Sequence, residues 1–286
     1  MRTPPNIQEF DTEEQLQQLL NHRLNAYTEK QSIYTFTCTL LTPMYGGGVD
    51  AYTVDQQMPI RASGIRGQLR FWWRLLAKQK LKLSPEQIRE AEFTLFGGGE
   101  QMRASAVFIS TQSRAIAEKD LTDFTNKQYP KYALFPAYND NGKNKDKDKD
   151  KDKDKDKHRL LNPSFDFTLT IRFATTVNEE QKQQFFEALR LWANFGGVGA
   201  RTRRGLGSVK VNACQCAKNA PNHADAEKVC KPFQPDEVSQ YGCQLILRPA
   251  KDAISAWSVA VKKLRDFRQG KGIGRRKGTD HAGRSY

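Results

Sequence analysis

Two segments of the chain, Tyr34-Thr-Phe-Thr-Cys-Thr-Leu-Leu and Phe165-Asp-Phe-Thr-Leu-Thr-Ile-Arg-Phe, alternate apolar and polar residues with a period of two. Successive side chains of a strand point to opposite faces, so this alternation predicts two half-buried strands. Helical periodicity separates and follows them. Residues 65–78 form one predicted helix, and a second starts at Ser84-Pro85, a cap followed by proline in the first turn, and stops before Gly97-Gly98-Gly99. Glu179 to Asn194 is amphipathic through Phe185, Phe186, Leu189 and Trp192 and ends at Phe195-Gly196-Gly197. Ser105–Thr111 and Tyr132–Tyr138 read as further strands, and Gly205–Val211 as a closing one. The order β-α-(α)-β-β-α-β is that of an α+β, ferredoxin-like sheet of the kind used by RNA-recognition motifs.

Outside this core, residues 12–29 predict an N-terminal helix. Thr12 and Gln15 fit a capping box, and Leu16, Leu19, Leu20, Leu24 and Tyr27 recur at helical spacing. Residues 1–32 are therefore assigned to a helical extension and 33–215 to the main domain. Lys143–Lys157 alternates lysine with aspartate, has nothing to bury and reads as a disordered insertion. Deleting Lys145–Asp156 is expected to leave the melting temperature, and affinity for whatever the main domain binds, nearly unchanged, because flexible loop length costs little closure entropy. Thermal unfolding and a ligand titration of the deletion check this. After a polar stretch, Tyr241–Arg248 and Ile254–Arg268 read as the strand and helix of a second, incomplete unit over 240–286.

Net charge is +14, with a pI near 9.6. The Lys-Asp tract has eight lysines and six aspartates, so removing it still leaves about +12. That excess favours a polyanionic partner, nucleic acid before membrane. No run of 18 apolar residues occurs and the N-terminus has no signal-peptide core, so a cytoplasmic protein is expected. Five cysteines without an export signal imply reduced thiols. Cys214, Cys216, His223 and Cys230 fall within 17 residues, but their C-x-C start is a weak zinc pattern, and no metal or other cofactor is assigned.

Two constellations point to a nucleic-acid backbone. The first runs from Tyr45-Gly46-Gly47-Gly48 through Arg61 into the helix carrying Arg66, Arg70 and Arg74. Triple glycine admits close approach, and arginines at i, i+4 and i+8 line one helix edge. On a helical wheel Ile65, Leu69, Trp72 and Leu76 face the sheet, leaving Trp73 between core and arginines. The second is Gly196-Gly-Val-Gly-Ala-Arg-Thr-Arg-Arg-Gly-Leu-Gly. It follows a helix and lacks Gly-Lys-Ser/Thr, which excludes dinucleotide and P-loop fingerprints. The candidate phosphate contacts are Arg61, Arg66, Arg70, Arg201, Arg203 and Arg204. Gly46, Gly47, Gly48, Gly197 and Gly199 allow close approach, and Tyr45 or Trp73 are candidates to stack on a base.

Thr-Pro-Met-Tyr-Gly-Gly-Gly, Ile-Arg-Ala-Ser-Gly-Ile-Arg-Gly-Gln-Leu-Arg-Phe-Trp-Trp-Arg and Gly-Val-Gly-Ala-Arg-Thr-Arg-Arg-Gly-Leu-Gly-Ser resemble the RAMP superfamily of CRISPR-associated proteins. The Trp-Trp-Arg helix and the terminal Gly-Arg-Ser-Tyr resemble the first RAMP subunit of type III-B Cmr effector complexes. The resemblance is strong over 33–78 and 190–212 and weaker over 257–286. It implies ferredoxin-like folds, contact with guide RNA near its 3′ portion and with target RNA, and assembly with other RAMP subunits of a Cmr-type complex. It also implies a non-catalytic subunit and a chain that is C-terminally short. RAMP subunits that cleave RNA use an aspartate after the first strand, where Asp50 and Asp55 lie here. The surroundings differ, so an endoribonuclease is the alternative. His22, His158, His223 and His281 sit in unrelated contexts.

Overall fold

The two alternating segments become the central strands of a four-stranded antiparallel sheet. A computed structural model describes residues 13–15, 17–18, 33–48, 53–99, 103–123, 128–134, 159–216, 220 and 222–269. Strands β1 (Ile33–Leu40), β3 (Val107–Ser113), β6 (Asp166–Phe173) and β7 (Val209–Gln215) lie in the order β3-β6-β1-β7. Tyr34, Phe36, Cys38 and Leu40 of β1 are buried, as are Phe167, Leu169, Ile171 and Phe173 of β6. Their register pairs Phe36 with Leu169 and Tyr34 with Ile171. Threonines 35, 37, 39, 168 and 170 alternate with them on the opposite face.

Helices α1 (Ala62–Gln79) and α2 (Pro85–Phe96) connect β1 to β3, and α4 (Glu179–Phe195) connects β6 to β7. Together with β1 and β6 they enclose one core. Both predicted N-termini are reciprocally capped, Ser84 with Gln87 and Asn178 with Gln181. Phe173, Phe185, Phe186 and Tyr34 pack edge-to-face at that core's centre.

A small sheet in the order β2-β5-β4 was not foreseen: β2 (Met44–Tyr45), β4 (Leu121–Asp123) and β5 (Arg159–Leu161). Runs of two or three residues carry no periodicity. Beside it a second cluster forms from Tyr45, Leu160, Leu206, helix α3 (Lys131–Leu134) and helix α7 (Ala253–Gln269). Short helices α5 (His223–Lys228) and α6 (Pro235–Ser239) precede α7.

Four expectations need correction. Residues 132–134 of the expected strand 132–138 belong to a helix, Lys131–Leu134, because Pro130 starts a turn that buries Ala133 and Leu134 in the second cluster; residues 135–138 lie outside the described residues. The closing strand starts at Val209 because Gly205 and Gly207 take φ of +77° and +66°, outside strand geometry. Residues 241–248 form no strand; Ile246 and Leu247 are exposed, with no strand alongside them among the described residues. Trp73, at 1% exposure, is a core residue, whereas Trp72 is half-buried. Helix α1 packs against α2 as well as α4, so its buried stripe widens to include Trp73, which meets Phe96 of α2 edge-on. Of the N-terminal helix only 13–15 and 17–18 are described, and they are helical. The Lys-Asp tract lies outside the described residues. Among the described residues no helix is long and apolar enough to cross a membrane.

Candidate nucleic-acid interface

The two glycine-rich motifs, far apart in sequence, are joined backbone to backbone. Ala200 N–H donates to the Tyr45 carbonyl (2.6 Å), Gly207 N–H to Pro43 (2.8 Å), and Val198 N–H to Gly207 (2.8 Å). Thr42, nearly fully buried, donates through its hydroxyl to the Gly205 carbonyl, 163 residues away, and accepts from Ser208 N–H. Close approach is what the glycines of the second motif supply. A Cβ at Gly199 would stand 2.6 Å from Met44 Cγ, and one at Gly197 2.7 Å from the Gly207 carbonyl oxygen. These positions are consumed by chain packing. Gly46 and Gly47 adopt φ of +60° and +92°, which turns the first loop toward the second.

The joined loops face the start of α1 across a cavity of about 390 Å3 lined by Gly47, Gly48, Arg61, Ser63, Gly64 and Gln68. Arg61 is the N-cap residue, but no side chain caps the helix and its first turn has no acidic residue. Gly64 and Ile65 donate back to the Arg61 carbonyl, while the N–H groups of Ala62 and Ser63 make none of the backbone bonds described. An uncapped helix start and a cation on the wall of a glycine-lined cavity have the chemistry to hold an anion, which makes this a candidate anion seat. Sequence reading missed Ser63, Gly64 and Gln68. The signal was present: glycines 64 and 67 sit inside a helix, where each costs about 1 kcal/mol relative to alanine. A Cβ at either would meet nothing within 4 Å, so chain packing does not require them.

The predicted arginines divide. Arg61 reaches the seat and pairs with Asp55 at 2.8 Å. Arg66 donates to the Phe96 carbonyl, and Arg70 pairs with Glu92 at 2.5 Å; Glu92 also meets Arg74 at 3.3 Å. These three tie α1 to α2. Arg201 donates to the Ala133 carbonyl (3.3 Å) and Arg204 to Tyr132 (2.6 Å), each guanidinium also lying near a tyrosine ring. The Arg204 carbonyl accepts from Trp257 Nε1 of α7 at 2.7 Å. Arg203, on the turn 202–204, is exposed. The second loop is therefore also the point where α3 and α7 dock.

Both stacking candidates are buried: Tyr45 at 2% and Trp73 at 1% exposure have no ring face available to a base. Tyr45 is held by its bridge to Ala200, and Trp73 by the α1–α2 contact. Asp50 lies outside the described residues. Asp55 closes its own turn, accepting from Gln57 and Met58 N–H at 3.0 Å each, and these bonds with Arg61 hold its carboxyl below the usual carboxylate range, Arg61 contributing most. Cys214 and Cys216 stand 4.0 Å apart, and burial raises the Cys214 and Cys230 thiols and pushes Cys38 up to about 12. Among the described residues no group of three or more His, Cys, Asp or Glu side chains is placed to hold a metal ion.

Antiparallel sheet, glycine-arginine loop and uncapped arginine helix together define the class. The model of the RAMP superfamily matches residues 37–210, and the chain belongs to that superfamily. It is 26% identical over 188 residues to the CRISPR system Cmr subunit Cmr1-2 of Pyrococcus furiosus, covering 62% of this chain and 93% of that one. Among solved structures it resembles the apo crystal structure of Cmr1 from Pyrococcus furiosus, with TM-score 0.50 and 17% identity, over 87% of this chain and 79% of the other. It also resembles a chain of the Type III-B Cmr-beta complex bound to cognate target RNA, with TM-score 0.50 and 15% identity, over 74% and 61%. These two likenesses concern the fold.

Proposed function

We propose that the protein is a non-catalytic, RNA-binding RAMP subunit of a type III-B CRISPR effector complex, acting in the cytoplasm in antiviral defence. In this reading it contacts the 3′ region of the guide RNA and the target RNA, beside other RAMP subunits of the same complex. The observation that carries the reading is the candidate anion seat, where Arg61 and the uncapped start of α1 face the joined glycine loops. Its donors are backbone groups and one forked cation, so it suits a phosphate and reads no base. The Cmr relative supports the assembly. The strand order β3-β6-β1-β7, with helices inserted after β1 and β6, supports a ferredoxin-like domain.

Asp55 decides between binding and cleavage. A carboxylate held down by an arginine and two amides is a weak base, and here it orients Arg61. Asp55→Ala is expected to leave target cleavage by an assembled complex intact while weakening RNA binding roughly two- to five-fold, the range of an exposed ion pair. Asp50→Ala is expected to change neither. Cleavage of labelled target RNA with divalent metal, alongside a filter-binding titration, checks both. Loss of one discrete cut with guide binding retained would establish the endoribonuclease instead. The pH dependence follows in sign. Because the Asp55 carboxyl is depressed in the folded protein, its contribution is full above the ordinary carboxylate range and is lost as pH falls through the lower folded value.

A further inference from the structure

We propose that the edge of β3, which pairs with no further strand among the described residues, is a docking site for an extended, acidic segment of a partner protein, which adds to the sheet as a fifth strand. This does not rest on the RNA-binding reading. β3 is one edge of the four-stranded sheet and β7 the other. Edge strands are ordinarily blunted by lysine, proline or a bulge. β7 has two of these devices, Lys210 and a register shift against β1 at Thr37/Cys38. β3, Val-Phe-Ile-Ser-Thr-Gln-Ser, has none, and its Phe108 is 43% exposed.

The ladder phase says which backbone groups are available. Ala174 N–H donates to the Ala106 carbonyl at 2.8 Å, and the register then runs unbroken from Val107↔Phe173 to Ser113↔Phe167. Alternation along an antiparallel pair therefore turns the N–H and C=O of Val107, Ile109 and Thr111 away from β6. The Val107 carbonyl is taken by the Ser105 hydroxyl at 2.8 Å, which leaves Ile109 and Thr111 outward.

A groove of about 750 Å3 runs along this edge between β3 and α1. Arg66, Arg70 and Arg172 line it, and among the described residues no carboxylate does. Arg66 is anchored on a neutral carbonyl, and Arg172 lies 6.0 Å from the Phe108 ring. Arg70 shares Glu92 with Arg74, so that trio keeps a positive charge. On the helix side Gly67 opens the groove, since a Cβ there would meet nothing within 4 Å. An added peptide strand would pair with the outward donors and acceptors alike, and its alternate carboxylates would meet the arginines. Phosphates accept but do not donate, and a ribose 2′-hydroxyl is the one donor that an RNA backbone offers per nucleotide, so a nucleic-acid strand matches the alternating donors and acceptors less well than a peptide strand. That difference favours a peptide over nucleic acid.

The test uses the full chain and a fluorescein-labelled octapeptide alternating glutamate and valine, with a lysine-valine peptide as its opposite. Binding is read by anisotropy, and the Ile109 and Thr111 amides by hydrogen exchange. The expected result is binding of the acidic peptide alone, with slowed exchange at both amides. Gly67→Glu should fold with an unchanged or raised melting temperature and lose at least about ten-fold in affinity, while Gly67→Ala should lose little. Ile109→Pro, which removes an outward N–H, should also abolish binding. The proposal is overturned by equal binding of the lysine peptide, by undiminished binding to Gly67→Glu, or by slow exchange already present without peptide. Protection of the same amides by self-association or by an RNA oligonucleotide would also overturn it.

Discussion

Gly207→Ala is expected to destabilise the protein more than any other single-methyl addition in the two loops, by about 2–4 kcal/mol. Its backbone is left-handed, with φ of +66°, which costs alanine about 1 kcal/mol on its own. The new Cβ would also stand 1.9 Å from the Val198 carbonyl oxygen, a backbone atom that no rotamer change can move. That carbonyl belongs to the segment holding Ala200 against Tyr45, and Gly207 N–H itself bonds Pro43. Relief of the clash therefore pulls the two motifs apart. Denaturant unfolding of wild type and variant measures the difference; a loss below about 1 kcal/mol would show that the loops are not packed as described.

Gly64→Glu is expected to do the opposite to stability while removing function. Replacing a helix-interior glycine that touches nothing stabilises the helix by about 0.5–1 kcal/mol. A glutamate at the third helical position is favoured further by the dipole and by the amides left uncapped at Ala62 and Ser63. The same carboxylate would occupy the anion seat beside Arg61, displacing a phosphate. Charge-assisted hydrogen bonds contribute about 1.5–3 kcal/mol, so RNA affinity should fall roughly 10- to 100-fold. Arg61→Ala should flatten the salt dependence of binding by about 0.7 in log-log slope for each phosphate that the protein no longer neutralises. Thermal melting and RNA titrations across salt test both. A stabilised Gly64→Glu protein with unaltered RNA affinity would place the RNA elsewhere, and would leave the β3 edge proposal untouched.

A stability gain paired with a loss of binding would separate glycines that serve the chain from glycines that serve a ligand. Gly197, Gly199, Gly205 and Gly207 each face an atom too close for a Cβ, Trp257 Cδ1 at 2.6 Å in the case of Gly205. Gly64 and Gly67 face open space. Glycine-rich sequence alone cannot separate these cases, because both read as permission for close approach.

Local chemistry determined what the sequence declared unaided. Period-two alternation placed β1 and β6, the Ser84-Pro85 cap placed the start of α2, and the amphipathic spacing of Phe185, Phe186, Leu189 and Trp192 placed α4, since these signals act between neighbours in the chain. The family motifs were legible for the same reason. Long-range packing decided the rest. Whether an arginine meets phosphate or a carbonyl depends on residues such as Phe96, Glu92, Ala133 and Tyr132, which stand 22 to 72 positions away. Trp73 and Tyr45 are buried by neighbours that no wheel or spacing contains. The cavity beside Arg61 exists only because the loop after β1, the start of α1 and the loop after α4 converge, and that convergence is a property of the sheet order.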